Sequence, residues 1–235
     1  MNLFADAFAW LAAPEQWSGS GALPERFGEH LVLTLLALAI ATVVAVPLGY
    51  LVGHTGRGRQ LVVALSGAGR ALPSLGLLTV LTLLVGVGDA ALAATAVLVV
   101  LGVPSVLAGA YAGVENVDHA VVDSARAQGM TRWQVLTRVE APLGLPLLVG
   151  GMRSAALQIV ATAVLAAYVG LGGLGIYIQR GISLQRYDEM LGAAIAIVAL
   201  ALAVDGVFAL LARLALRVSG GRGTLGATSP TEGRT

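Results

Sequence analysis

Three charged side chains stand where the surrounding sequence is built for hydrocarbon. Arg70, Arg153 and Asp205 each fall inside a long apolar run. A charge at that depth costs about 2.5–3.5 kcal/mol even on insertion scales, so it must face protein or water. Their expected depths agree to within about two helical turns, and Asp205 is expected to pair with Arg70 or Arg153. Such a pair either fixes helix packing or gives a translocation route a polar wall, and both readings stay open here. Catalytic chemistry has little to work with. There is no cysteine, which excludes disulfides, thiolate metal sites and a cysteine nucleophile. His30, His54 and His119 do not cluster, and no nucleophile–base or metal-ligand spacing appears. No catalytic residue, cofactor or metal is expected, so a membrane enzyme is the weakest class. All 14 basic residues are arginine. A P-loop needs a lysine against the phosphates, so any dependence on ATP must come from another subunit.

A second group of polar residues is continuous in sequence. Asp118 to Pro146 reads DHAVVDSARAQGMTRWQVLTRVEAPLGLP. Asp118 suits a helix N-cap, and Gly129 suits the left-handed position just past a helix end. Thr131 and Gln134 form an S/T-x-x-E/Q capping box, with Met130 and Val135 placed as a hydrophobic staple. The pattern predicts a helix over about 119–128, one sharp corner, and a second helix over about 132–140. Pro142 and Pro146 are expected to stop that helix and start another element.

Apolar runs must carry these groups. Hydrophobic residues make up 57% of the 235, charged residues 11%, and mean hydropathy is +0.85. That composition predicts an all-α integral membrane protein, and a net charge of +1 gives no sign of a nucleic-acid partner. Five spans long enough to cross about 30 Å of hydrocarbon are expected at about 31–52, 60–85, 90–112, 143–169 and 191–212. Pro73 lies within the second and Pro104 within the third. Residues 1–29 lack the basic start of a signal peptide and read as an external segment with an interfacial helix over about 2–12, its tryptophan at headgroup level. Residues 30–212 form the membrane domain, with the hairpin at 117–141. Residues 213–235 read as a disordered tail.

Basic residues choose the orientation. Arg57, Arg59, Arg126, Arg132, Arg138, Arg213, Arg217, Arg222 and Arg234 fall on one side, against Arg26, Arg180 and Arg186 on the other. The excess puts the hairpin and the C-terminus in the cytoplasm and the N-terminus outside. Gly170, Gly172, Gly173 and Gly175 sit in a run too long for an ordinary turn. It is read as a re-entrant bend in an external gate, which protein or water must cover. Tyr111, Tyr168, Tyr177 and Tyr187 are too scattered for an aromatic cage and read as interfacial anchors. The small residues of spans 2 to 5 suit close helix approach, although a high-alanine coding bias would also produce them.

The spacing of Asp123-Ser124-Ala125, Gly129, Val139 and Ala141-Pro142 resembles the cytoplasmic EAA loop of ABC importer permeases. Asp123, Ser124 and Ala141 depart mildly from the usual Glu, Ala and Leu. Leu72-Pro73-Ser74-Leu75, Gly86-Val87-Gly88, Gly151-Met152-Arg153-Ser154-Ala155 and the glycine run fall in the order of the osmoprotectant branch, over roughly residues 28–212. The resemblance implies a five-span type I importer fold with cytoplasmic coupling helices. It implies two permease subunits, identical or different, two cytoplasmic ATPases and an external or lipid-anchored solute-binding protein. ATPase coupling would rest on Asp123, Ser124, Ala125, Gly129, Met130, Trp133, Leu136 and Pro142. Asp123 would supply the acidic contact, and Met130, Trp133 and Leu136 the apolar one. The implied solutes are quaternary amines such as glycine betaine, choline or carnitine. Methionine or another small solute is the alternative. An ion-coupled secondary transporter with Asp205 as a proton site is less favoured, because no inverted repeat appears.

Overall fold

The structure, a computed structural model, describes residues 2–220, apart from the side chains at 65 and 68–71. Among these residues the regular elements are all helical. A short helix α1, Leu3–Ala12, precedes α2, Leu23–Thr55. α3, Arg59–Ala71, and α4, Ser74–Val85, follow, then α5, Ala90–Glu115. The polar segment folds as α6, His119–Ala127, and a short α7, Arg132–Val135. The chain then runs through α8, Ala141–Ala163, α9, Gly175–Leu184, and α10, Tyr187–Val218.

Among the described residues, four helical stretches are long and apolar enough to cross a membrane: Leu23–Thr55, Val87–Glu115, Arg132–Val169 and Tyr187–Val218. The second expected span is instead a broken helix. Leu72 is extended, at φ −71° and ψ 127°, because the ring of Pro73 disfavours helical backbone before it. Pro104, by contrast, stays inside α5. Two other expectations need correction. Pro142 and Pro146 do not end a helix: Arg132–Val169 is one helical stretch. A π-turn over Leu136–Glu140 lets the Ala141 N–H reach back to the Leu136 carbonyl. Pro142 thereby follows directly on the π-turn, at the start of α8. The expected tail begins as helix, since α10 continues to Val218; residues 221–235 lie outside those described.

α2, α5, α8 and α10 pack around the main core, which includes Ala45, Val106, Ala155, Ile159 and Phe208. The crossing of α5 and α8 accounts for Gly109, Gly113, Gly144 and Gly151. A Cβ on Gly109 would lie 2.7 Å from the Gly151 Cα, and one on Gly113 2.6 Å from the Gly144 carbonyl oxygen. These backbones touch directly, as helices do where lipid removes the hydrophobic drive to associate. The bundle therefore has two ends. The hairpin of α6 and α7 occupies one, beside the end of α2 and the start of α3. The glycine run, α9 and α1 occupy the other.

Candidate functional site

The hairpin is held in shape by its own sequence. The Asp118 Oδ1 accepts the Ala120 N–H at 2.8 Å, capping α6. Gly129 has φ +84° and makes the corner. The capping box closes in both directions. The Thr131 N–H donates to Gln134 Oε1 at 2.8 Å, and the Gln134 N–H to the Thr131 hydroxyl at 3.3 Å. Beneath these polar contacts Val117, Val122, Ala125 and Val135 are buried together, with Met130 and Val139 against them. The staple expected from Met130 and Val135 is present.

Burial sorts the expected coupling residues into two groups. Asp123 is exposed, only loosely paired with Arg126 at 3.6 Å. Ser124 is exposed and bonds back to the Ala120 carbonyl at 2.7 Å. Trp133 is 71% exposed, unusual for an indole on a polar helix. Ala125 and Leu136, however, are 6% and 8% exposed. Leu136 is therefore not available as an apolar contact. Pro142 is partly buried at the root.

That root holds a contact that local pattern did not reveal. His54, in the last turn of α2, meets Glu140 at 2.5 Å, Nδ1 to Oε2. Both side chains are nearly buried, at 11% and 6% exposure. Nearby, Arg59 at the start of α3 pairs with Glu115 at the end of α5, 3.0 Å away. The hairpin is thus bolted to the bundle rather than suspended from it.

At mid-depth the expected ion pair forms. Arg153 Nε and Nη2 donate to the two oxygens of Asp205, each at 2.6 Å. The Arg70 side chain lies outside those described.

At the far end the glycine run wraps the start of α2. Gly170 and Gly173 have φ +81° and +88°. The Gly173 N–H donates to Glu29 Oε2 at 2.6 Å, while Arg26 holds the same carboxylate at 2.8 Å. His30, 1% exposed, gives its Nε2 proton to the Val160 carbonyl at 3.0 Å. Tyr177 is no interfacial anchor. It is buried, edge-on to Trp10 at 5.3 Å, and its hydroxyl donates to the Gly21 carbonyl at 2.7 Å. Burial also holds that hydroxyl above the ordinary tyrosine range. Trp10 is likewise covered by protein, and Tyr111 is buried, whereas Tyr168 and Tyr187 are exposed. The four tyrosines assemble no cage. Glu189, fully buried, is held by Arg180 at 2.5 Å and Arg186 at 3.1 Å. Arg180 belongs to α9 and Arg186 caps α10, and no periodic signal marked the cluster.

A bundle of apolar helices with a stapled polar hairpin at one end is a known arrangement. Residues 45–217 match the family described as binding-protein-dependent transport system inner membrane component. The chain belongs to this family. Among curated relatives, it is 33% identical to the glycine betaine/carnitine/choline transport system permease protein OpuCB of Bacillus subtilis (strain 168). That match runs over 196 residues, 83% of this chain and 89% of the relative. The carnitine transport permease protein OpuCB of Listeria monocytogenes is 36% identical over 177 residues, 75% of this chain and 80% of its own. The osmoprotectant import permease protein OsmW of Salmonella typhimurium is 31% identical, over 79% of this chain and 88% of its own. Among solved structures, the inward-facing MetNI methionine ABC transporter superposes with a TM-score of 0.72 at 22% identity. It covers 87% of this chain and 99% of that one, a likeness in fold alone. For this permease the hairpin, its root and the Arg153–Asp205 pair all fall within the matched span.

Proposed function

We propose that this permease is the membrane-spanning subunit of an ATP-driven importer for quaternary-amine osmoprotectants such as glycine betaine, choline or carnitine. The observation that carries the solute class is the identity of 31–36% to three permeases whose names print those solutes or that class. The hairpin geometry supports the coupling. A rigid knob presenting Asp123, Ser124 and Trp133 can dock in a groove of a cytoplasmic ATPase, in a helix-in-groove mode. Ala125 and Met130 keep its shape from within, Gly129 makes its corner, Leu136 is buried just beyond it, and Pro142 sits where the knob meets the bundle. Two ATPases, a second permease, identical or different, and an external or lipid-anchored binding protein complete the machine. The excess of positive residues at the hairpin end supports a cytoplasmic hairpin and an external N-terminus. Gly170, Gly172, Gly173 and Gly175 then belong to the external gate. ATP closes the ATPase dimer, the two hairpins travel with it, and the spans open outward. Hydrolysis restores the inward-facing state. Work passes only if the hairpin binds the motor differently in the two states.

The test is reconstitution with the ATPase and the binding protein in proteoliposomes. ATP-dependent uptake of labelled glycine betaine, choline or carnitine is expected. Uptake of methionine alone, or uptake that persists without ATP and collapses with an ion gradient, would reject the reading.

A further inference from the structure

α8 has two unlike sides. Ala155, Ala156, Ile159 and Val160 are buried in the bundle. On the other side Gly150, Ser154 and Gln158 stand one turn apart and exposed, with Arg153 beside them. Although Asp205 grips Arg153 at both oxygens, the two side chains remain 41% and 28% exposed for arginine and aspartate respectively. This polar surface lies well inside an apolar span. The exposed flank of α2 is different in kind, carrying Val32, Leu36 and Val43.

Hydrocarbon cannot face the polar side of α8. Gln158 Nε2 donates to the Thr162 hydroxyl at 3.3 Å, but a dry partner helix would still have to match the remaining guanidinium N–H groups, the free carboxylate lone pairs and the Gln158 amide oxygen, or leave them unpaired. Water and a polar solute satisfy them without a fixed geometry. The pair is also neutral as a unit. A passing cation meets no net repulsion, while the uncommitted N–H groups of Arg153 can still donate to a carboxylate or hydroxyl.

We propose that this side of α8, with the Arg153–Asp205 pair, walls the solute route and holds its net charge at zero, so that cationic and zwitterionic trimethylammonium solutes share one path. The inference rests on the importer reading above.

Two measurements test it in the assembled, reconstituted complex. Because the chain lacks cysteine, single-cysteine variants have no background within it. S154C and Q158C should react with a charged, membrane-impermeant thiosulfonate about a hundredfold faster than V43C, the order of penalty a charge meets in hydrocarbon. Rates as slow as that of V43C would overturn the wall. The second measurement compares uptake of choline, a cation, with that of glycine betaine, a zwitterion, using one binding protein throughout. Asp205→Asn leaves Arg153 unpaired and should lower the choline-to-betaine ratio about tenfold. Arg153→Gln should raise it, and the double variant should return it to the parent value. Equal loss of both solutes in every variant would assign the pair to packing alone and overturn the charge balance. A parent complex that carries neither solute would instead reject the importer reading, and the cysteine labelling would still decide the wall.

Discussion

His54 Nδ1 and Glu140 Oε2 meet at 2.5 Å across 86 residues of sequence. One closes α2 and the other closes the π-turn between the hairpin and α8, so the contact sets the angle at which the hairpin leaves the bundle. Removing the imidazole strands a nearly buried carboxylate, at a cost of about 1–3 kcal/mol. His54→Ala should therefore lower the melting temperature of the purified permease. It should also reduce solute-stimulated ATPase activity more than basal activity, because a loosened root transmits less motion. Equal melting temperatures and equal stimulation would remove the contact from both roles.

Trp133 and Leu136 are both apolar and only three positions apart, yet burial assigns them opposite consequences. Trp133 is 71% exposed, so Trp133→Ala should change folding stability by no more than about 0.5 kcal/mol. If the indole fills a pocket on the ATPase, its loss should weaken recovery of the complex about tenfold or more. Leu136→Ala truncates a side chain only 8% exposed and should cost about 2–3 kcal/mol in stability. Thermal melting and copurification with the ATPase separate the two. A Trp133→Ala complex that copurifies at parent levels would discard the anchor.

Gly129 is constrained by its backbone and not by its surroundings. A Cβ there would meet nothing within 4 Å, but φ is +84°. Gly129→Ala should cost about 1 kcal/mol in hairpin stability, and Gly129→Asn less, since asparagine tolerates the left-handed region. Gly129→Asp adds a charge at the corner and is expected to abolish uptake while the protein still inserts. The order glycine, asparagine, alanine, aspartate for uptake at equal membrane abundance is the readout, and unchanged uptake in Gly129→Asp would take the hairpin out of the mechanism.

The hairpin was legible because its signals are local. A cap, a capping box and a left-handed glycine each act within four residues, and those contacts are the ones observed. The Arg153–Asp205 pair was legible for another reason. Depth in a membrane is a long-range coordinate, and a charge in hydrocarbon must find its opposite at the same level. The contacts of His54 with Glu140 and of Glu29 with Gly173 carry no such coordinate. They join segments 86 and 144 residues apart at the bundle ends, where water would serve either partner equally well. Pro142 and Pro146 misled for the converse reason. A proline rule drawn from helices in water overlooks a π-turn that shifts the hydrogen-bond ladder, and membrane helices tolerate proline where neighbours satisfy the freed groups.

The glycine run separates two kinds of tight contact, and they should respond differently to one methyl group. A Cβ on Gly172 would fall 1.9 Å from Glu29 Oε2. That oxygen ends a flexible side chain, which can swing away at the loss of its 2.6 Å bond from the Gly173 N–H. A Cβ on Gly175 would fall 2.2 Å from the Val164 carbonyl oxygen, which is backbone within a helical turn and cannot swing. Gly175→Ala should therefore destabilise the bundle more than Gly172→Ala, by about 1–3 kcal/mol, as overpacking does. Gly172→Ala should leave the melting temperature near that of the parent, and should slow uptake if release of Glu29 alters the gate. Thermal melting of the two variants in the same detergent decides the order. Gly172→Ala melting below Gly175→Ala would mean that the carboxylate, and not the backbone contact, holds this end of the bundle closed.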